Sequence, residues 1–189
     1  MLSTLDSHPT EQLFYFIDRA QPSDVASIVV VHQDAFVHGY EYTAEPEFGA
    51  TKQALQAFVG TEFATRKIAY WHDATARGTA YVARLCCNER VVGVAEAITK
   101  GAAYAELTAA YVSPEYQRRG IGSALLQTVV TGVSRPIIRL GVTRWAEAVK
   151  FYKNRGFVAT GRAIAVPDPP KAYGITLEQI ELELRRNTD

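Results

Sequence analysis

The run Gln117-Arg118-Arg119-Gly120-Ile121-Gly122-Ser123 concentrates groups that can hold an anion. Arg118 and Arg119 bring full positive charge, and Gly120 and Gly122 let a ligand come close to the backbone. Apolar residues at Ile121, Ala124, Leu125 and Val129 then fall on one face at helical spacing, so a helix starts here. The first N–H groups of a helix have no partner within it, and the helix dipole adds partial positive charge, which suits phosphate. Upstream, Leu107, Ala109, Tyr111 and Val112 read as a strand that stops at Ser113-Pro114-Glu115. Proline there removes a backbone donor and turns its predecessor away from helix. The run is not a P-loop, because neither Lys-Ser nor Lys-Thr follows the glycines. It is a poor dinucleotide fingerprint as well: Leu125 stands where the third glycine belongs, and no βαβ unit surrounds it.

The elements that must position this loop follow from periodicity and breakers. Leu13 to Ala20 reads as a first strand, and Pro22-Ser23-Asp24 opens a first helix with Ser23 as its cap. After the stretch from His38 to Phe48, rich in aromatic and acidic residues, a second helix is expected from about Glu47 to Thr65. Gly78 to Cys87 and Arg90 to Thr99 form a hairpin broken at Asn88-Glu89, and Ala105 to Val112 continues the meander. Pro136 to Val142 is a strand, and Thr143 to Arg155 a helix with Trp145, Ala148, Val149 and Tyr152 on one face and Gly156 capping its end. Phe157 to Val166 and Ile175 to Leu184 close the chain, separated by Pro167-Asp168-Pro169-Pro170. The order is β-α-α-β-β-β-α-β-α-β-β, an α+β domain around a single mixed, largely antiparallel sheet flanked by helices. Residues 1–189 make one domain, with residues 1–12 a loose N-terminal extension.

Twenty basic and twenty acidic side chains cancel, so no global charge draws the chain to nucleic acid or a membrane. No signal peptide is evident at the N-terminus, and no apolar run approaches a membrane span. The adjacent Cys86 and Cys87 lie in an expected strand, where successive side chains point to opposite faces. They read as small fillers in a reducing compartment, with a cytoplasmic location expected. His8, His32, His38 and His72 show no zinc-ligand spacing, so no metal is expected.

Two stretches together carry a resemblance. The loop fits Gln/Arg-x-x-Gly-x-Gly/Ala, preceded by Val112-Ser113-Pro114; downstream stands Ala148-Val149-Lys150-Phe151-Tyr152, with the helix closing on Gly156-Phe157. In this order, between Glu106 and Phe157, they resemble the GNAT superfamily of acyl-CoA-dependent acyltransferases, and the element order is similar to that fold. The sequence departs from the family at Trp145, where many members carry an asparagine that contacts the cofactor.

The resemblance implies an acetyl-CoA-dependent N-acetyltransferase that moves an acetyl group directly to a primary amine on a small molecule or peptide. It implies main-chain contacts from Ala110 and Val112 to the pantetheine arm, and from Gln117, Arg118, Arg119, Gly120, Ile121, Gly122 and Ser123 to the diphosphate. Tyr152 would be the acid that protonates the leaving thiolate, since a tyrosine hydroxyl titrates near ~10 and is protonated at neutral pH. Glu106, eleven residues before Gln117 (117 − 106), would be the base, with Glu96 on the neighbouring strand in reserve. The stretch His38-Gly39-Tyr40-Glu41-Tyr42 would face a cationic acceptor, and the final strands would pair two copies as a homodimer. The competing readings are a catalytically silent acyl-CoA-binding or sensing module and a nucleotide-binding α/β protein.

Overall fold

The structure, a computed structural model, describes residues 13–41, 52–60, 62–144, 147–164 and 178–186. Residues 1–12, Trp145 and Pro167–Pro170 lie outside the described residues, as does most of the stretch before the second helix. The elements are β1 (Tyr15–Arg19), α1 (Val25–Glu41), α2 (Lys52–Val59), α3 (Glu62–Arg77), β2 (Ala80–Leu85), β3 (Val91–Lys100) and β4 (Tyr104–Val112). They continue with α4 (Ile121–Gly132), β5 (Ile137–Thr143), α5 (Glu147–Lys153), β6 (Val158–Ile164) and β7 (Gln179–Arg185). The seven strands form one sheet in the order β1-β2-β3-β4-β5-β7-β6. Every neighbouring pair is antiparallel except β4 and β5, because α4 carries the chain across between them.

Each face of the sheet has its own core. On one, Ile121, Leu125, Leu126 and Val129 of α4, with Tyr152 of α5, pack on Val92, Ala95, Leu107, Ile138 and Leu140. On the other, Ile28 and Val31 of α1 and Trp71 of α3 pack on Val82, Val94 and Ala109. A smaller cluster of Phe36, Leu55, Phe58, Val59 and Phe63 ties α2 to its neighbours. No helix among the described residues is long and apolar enough to cross a membrane.

The α+β class and the mixed sheet are as expected; several local readings are not. The single second helix is two, interrupted at Gly60, and the later one runs on to Arg77. Ser23 is not the cap: Asp24 accepts from the Gln21 N–H at 2.7 Å, and a short 3-10 turn over Pro22–Asp24 leads into α1. His38 to Glu41 are the last turn of α1 rather than a loop. Cys86 and Cys87 are exposed and sit in the turn after β2, not in a strand. That turn is wide because the Glu89 N–H returns to Leu85 O at 2.9 Å, with Glu89 at φ 56°.

His32 sits at the heart of the second core. Its ring stacks on Tyr111 with centroids 3.9 Å apart, meets Phe63 edge-on, and its Nδ1 accepts from Trp71 Nε1 at 3.4 Å. Burial, seconded by the charge of Lys67, holds its pKa well below the usual 6.5. The unfolded chain therefore takes up a proton as pH falls through 6.5 while the native imidazole stays neutral, and stability present above that pH drains away below it. Urea titrations from about pH 7.5 to 5.5 should show a contribution approaching ~1.4 kcal/mol per pH unit, absent from His32→Gln. An unchanged slope in that variant would mean the folded imidazole protonates freely.

Candidate active site

The site begins where the sheet comes apart. β4 pairs with β5 only over Tyr104–Glu106 against Ile137–Arg139. Beyond Glu106, β4 continues along β3 and β5 continues along β7, so the two strands diverge and residues 107–112 have no partner on that side. Such an edge offers N–H and C=O groups to an extended ligand. The Ser113 N–H donates to Val92 O at 2.9 Å and so faces β3. By strand alternation Tyr111 also faces β3, while the backbone groups of Ala110 and Val112 face the gap.

A bulge sets this orientation. Glu96 pairs with Ala109 and Ala97 with Leu107, leaving Thr108 as an extra residue in β4. Its effect is visible in the packing: Leu107 joins the α4 core, and Ala109, two residues on, joins the α1–α3 core. Glu96 lies opposite, fully buried. Its carboxylate accepts from Thr108 Oγ1 at 2.7 Å, Thr79 Oγ1 at 2.5 Å, Arg77 Nη2 at 2.9 Å and the Tyr70 hydroxyl. Burial alone would raise its pKa; the four donors together reverse this and hold it below the ordinary carboxylate range. Tyr70 is pushed up in turn, by burial and then by the Glu96 charge. With its oxygens so engaged, Glu96 is a clamp on the bulge rather than a free base.

The glycine-bearing loop follows. Arg118 at φ 63° and Gly120 at φ 87° both take left-handed conformations, which turn the chain sharply into α4. Gln117 is drawn back: its side-chain Nε2 donates to Val112 O at 3.0 Å and its own N–H to Pro114 O at 3.2 Å. The Ser123 N–H is likewise used, on Gly120 O at 3.0 Å. Among the described residues no acceptor meets the N–H groups of Arg118, Arg119, Gly120, Ile121 or Gly122. A further guanidinium stands beside them. Arg155 donates to Ser123 Oγ and lies 3.7 Å over the Phe151 ring, with Nη1 anchored on Phe151 O at 2.8 Å. Sequence reasoning passed over it, although it stands in the stretch that carries Tyr152, just before Gly156.

Tyr152 and Glu106 lie on opposite faces of the split. Tyr152 is buried in the α4 core, edge-on to Phe151 at 5.1 Å and Phe157 at 5.5 Å. Burial pushes its pKa up, against the pull of the Arg155 charge, so the phenol stays protonated. Glu106 is the last residue of β4 to pair with β5, between the core residues Ala105 and Leu107, and so points to the other face. Its side chain is 40% exposed and 3.3 Å from Lys100 Nζ, a screened surface pair rather than the enclosed carboxylate expected of a base. A solvent-open cavity of about 300 Å³ adjoins it, walled by Tyr104, Arg139, Arg162 and Glu181.

Comparison with known proteins bears on this arrangement. Residues 76–159, from the end of α3 into β6, match the family model "Acetyltransferase (GNAT) domain". A probable acetyltransferase TAP2 of Glycine max is 23% identical over 160 residues, which cover 84% of this chain; the match spans 63% of that relative's length. The fold is similar to PaiA N-acetyltransferase from Thermoplasma acidophilum, solved with coenzyme A, at TM-score 0.65 and 16% identity over 92% of this chain and 99% of that one. It is also similar to the ribosomal-protein-S18-alanine N-acetyltransferase of Escherichia coli, at TM-score 0.60 and 15% identity over 93% and 96% of the two chains.

Glu96→Gln preserves shape but turns one acceptor oxygen into an amide donor facing other donors. It should cost ~2–4 kcal/mol in thermal or urea unfolding, and Thr108→Val about half that. A Glu96→Gln protein within ~0.5 kcal/mol of the parent would deny the clamp.

Proposed function

We propose that this chain, whose residues 76–159 match the GNAT acetyltransferase domain model, is an N-acyltransferase moving acetyl from acetyl-CoA to a primary amine by direct transfer. The observation that carries this reading is the junction of an unpaired strand edge at Ala110 and Val112 with a helix start whose N–H groups are unspent. The pantetheine arm would lie along that edge as an added strand. Since Gln117 already occupies Val112 O, the contact from Val112 would come through its N–H. The diphosphate would rest on the N–H groups of Arg118 to Gly122, with Arg118, Arg119 and Arg155 supplying charge. Gln117 and Ser123 would shape the loop rather than touch the phosphates.

Transfer has three requirements. The amine must be neutral when it attacks; the thioester oxygen needs a donor as it gains charge; the thiolate needs a proton as it leaves. The Ala110 N–H, aimed into the gap, would meet the thioester oxygen. The nitrogen lone pair forms the new C–N bond, the C–S bond breaks, the Tyr152 hydroxyl gives its proton to sulfur, and the proton shed by the acylated nitrogen returns to the Tyr152 oxygen through water. Glu106, on the opposite face, would receive the proton lost by the ammonium, directly or through water, once the Lys100 pair opens.

Tyr152→Phe should lower the rate of thiol release by ~10²-fold or more while leaving acetyl-CoA affinity, read by calorimetry, within a factor of ~2. If the parent binds acetyl-CoA yet releases no thiol with any amine of a broad panel, the chain is instead an acyl-CoA-binding module.

A further inference from the structure

We infer that the acceptor is a small zwitterion, an amine bearing a carboxylate on an amino-acid-sized frame, held in the cavity between Glu106, Glu181, Arg139 and Arg162. This rests on the transfer reading above, and it concerns the face of the sheet opposite α4. Glu106 and Arg139 form the last residue pair before β4 and β5 diverge, and both line the cavity. A ligand seated there therefore lies at the point from which the gap opens. At about 300 Å³ the cavity stands at the bottom of the range for small-molecule sites, which fits a compact acceptor better than a folded surface. Gly141 adds no side chain to its floor.

The charges decide the class. β7 carries two buried carboxylates, Glu181 at 9% exposure and Glu183 at 4%. Glu183 is satisfied, by Arg139 Nε at 2.9 Å and Arg185 Nε at 2.8 Å. Among the described residues Glu181 has only the Thr160 hydroxyl at 3.0 Å and an ion pair with Arg162 Nη1 at 3.7 Å, beyond hydrogen-bond reach. A buried carboxylate with so little compensation favours an arriving cation. Of the two it is Glu181, not Glu183, that lines the cavity. An ammonium between Glu181 and Glu106 would stand beside the residue proposed to take its proton.

The other wall has the opposite sign. Arg139 is fixed by Glu183 and by the Tyr104 ring, 4.7 Å from its guanidinium carbon, while the Arg162 side chain is 68% exposed and, among the described residues, held only by its 3.7 Å ion pair with Glu181. One fixed and one adaptable guanidinium suit a carboxylate. A polyamine would place a second cation against these arginines, and an amine with only anionic groups would meet Glu181. A molecule with one group of each sign answers both walls.

The test is thiol release at saturating acetyl-CoA with pooled common L-amino acids, their methyl esters, putrescine and spermidine. One or more amino acids should turn over, with each active acid's methyl ester showing KM raised at least ~10-fold. Glu181→Gln and Arg162→Ala should each raise KM for the acid by a similar factor, and Arg162→Ala should raise it more for the acid than for the ester. Preference for putrescine or spermidine, or equal KM for acid and ester, would overturn the inference while leaving acetyl transfer intact. If nothing releases thiol, the transfer reading fails instead. Saturation-transfer NMR with the same amino acids then decides the cavity: binding lost in Glu181→Gln supports the class, and no binding to the parent overturns it.

Discussion

One surplus residue governs the middle of this sheet. A strand pairing residue for residue with its neighbour keeps a single set of side chains on each face throughout its length. Thr108 breaks that rule, and the carboxylate of Glu96 fastens the break by accepting from Thr108 at 2.7 Å while also tying down α3 and the link before β2. Past this point β4 turns its Ala110 and Val112 backbone away from β3. Remove the fastening and the strand could slip by one, exchanging which groups face the gap. The buried carboxylate is thus spent on register, at the position where the gap must present the right N–H.

The bulge and the short β4–β5 pairing divide the work between two faces. On the α4 side lie the glycine-bearing loop, Arg155 and Tyr152, all suited to a long anionic ligand and its leaving group. On the far side lie Glu106, Arg139, Arg162 and Glu181, suited to a small charged one. The sheet is between them, and the two proposed ligands would meet where β4 and β5 part. In the proposed transfer, that separation would let Tyr152 as acid and Glu106 as base work on the same reaction without neutralising each other.

Legibility in the sequence tracked locality. The loop and its helix could be read from Gln117 to Val129 because glycines and apolar spacing act over a few residues, and the Gly156 cap, at φ 85°, followed from the same kind of signal. The bulge could not: Thr108-Ala109-Ala110 are all small, and no alternation reveals which one is extra. Nor could the role of Glu96, whose donors come from two different elements, Tyr70 and Arg77 from α3 and Thr108 from β4, and, with Thr79, from the link before β2. The two cysteines were misplaced because the run to Cys87 is β-rich, while the turn was decided by Glu89 accepting a left-handed backbone. The second helix broke at Gly60, a residue whose cost in a helix is well known but easily outvoted by a long periodic pattern.

The turn after β2 has a practical corollary. With Cys86 and Cys87 both open to solvent, each protein molecule brings two sulfhydryls of its own to any colorimetric reagent that reports released coenzyme. Signal from the protein would equal two turnovers per molecule before any chemistry occurs. Since neither residue touches the split in the sheet, replacing both with serine should silence that background and leave maleimide labelling of engineered positions unambiguous.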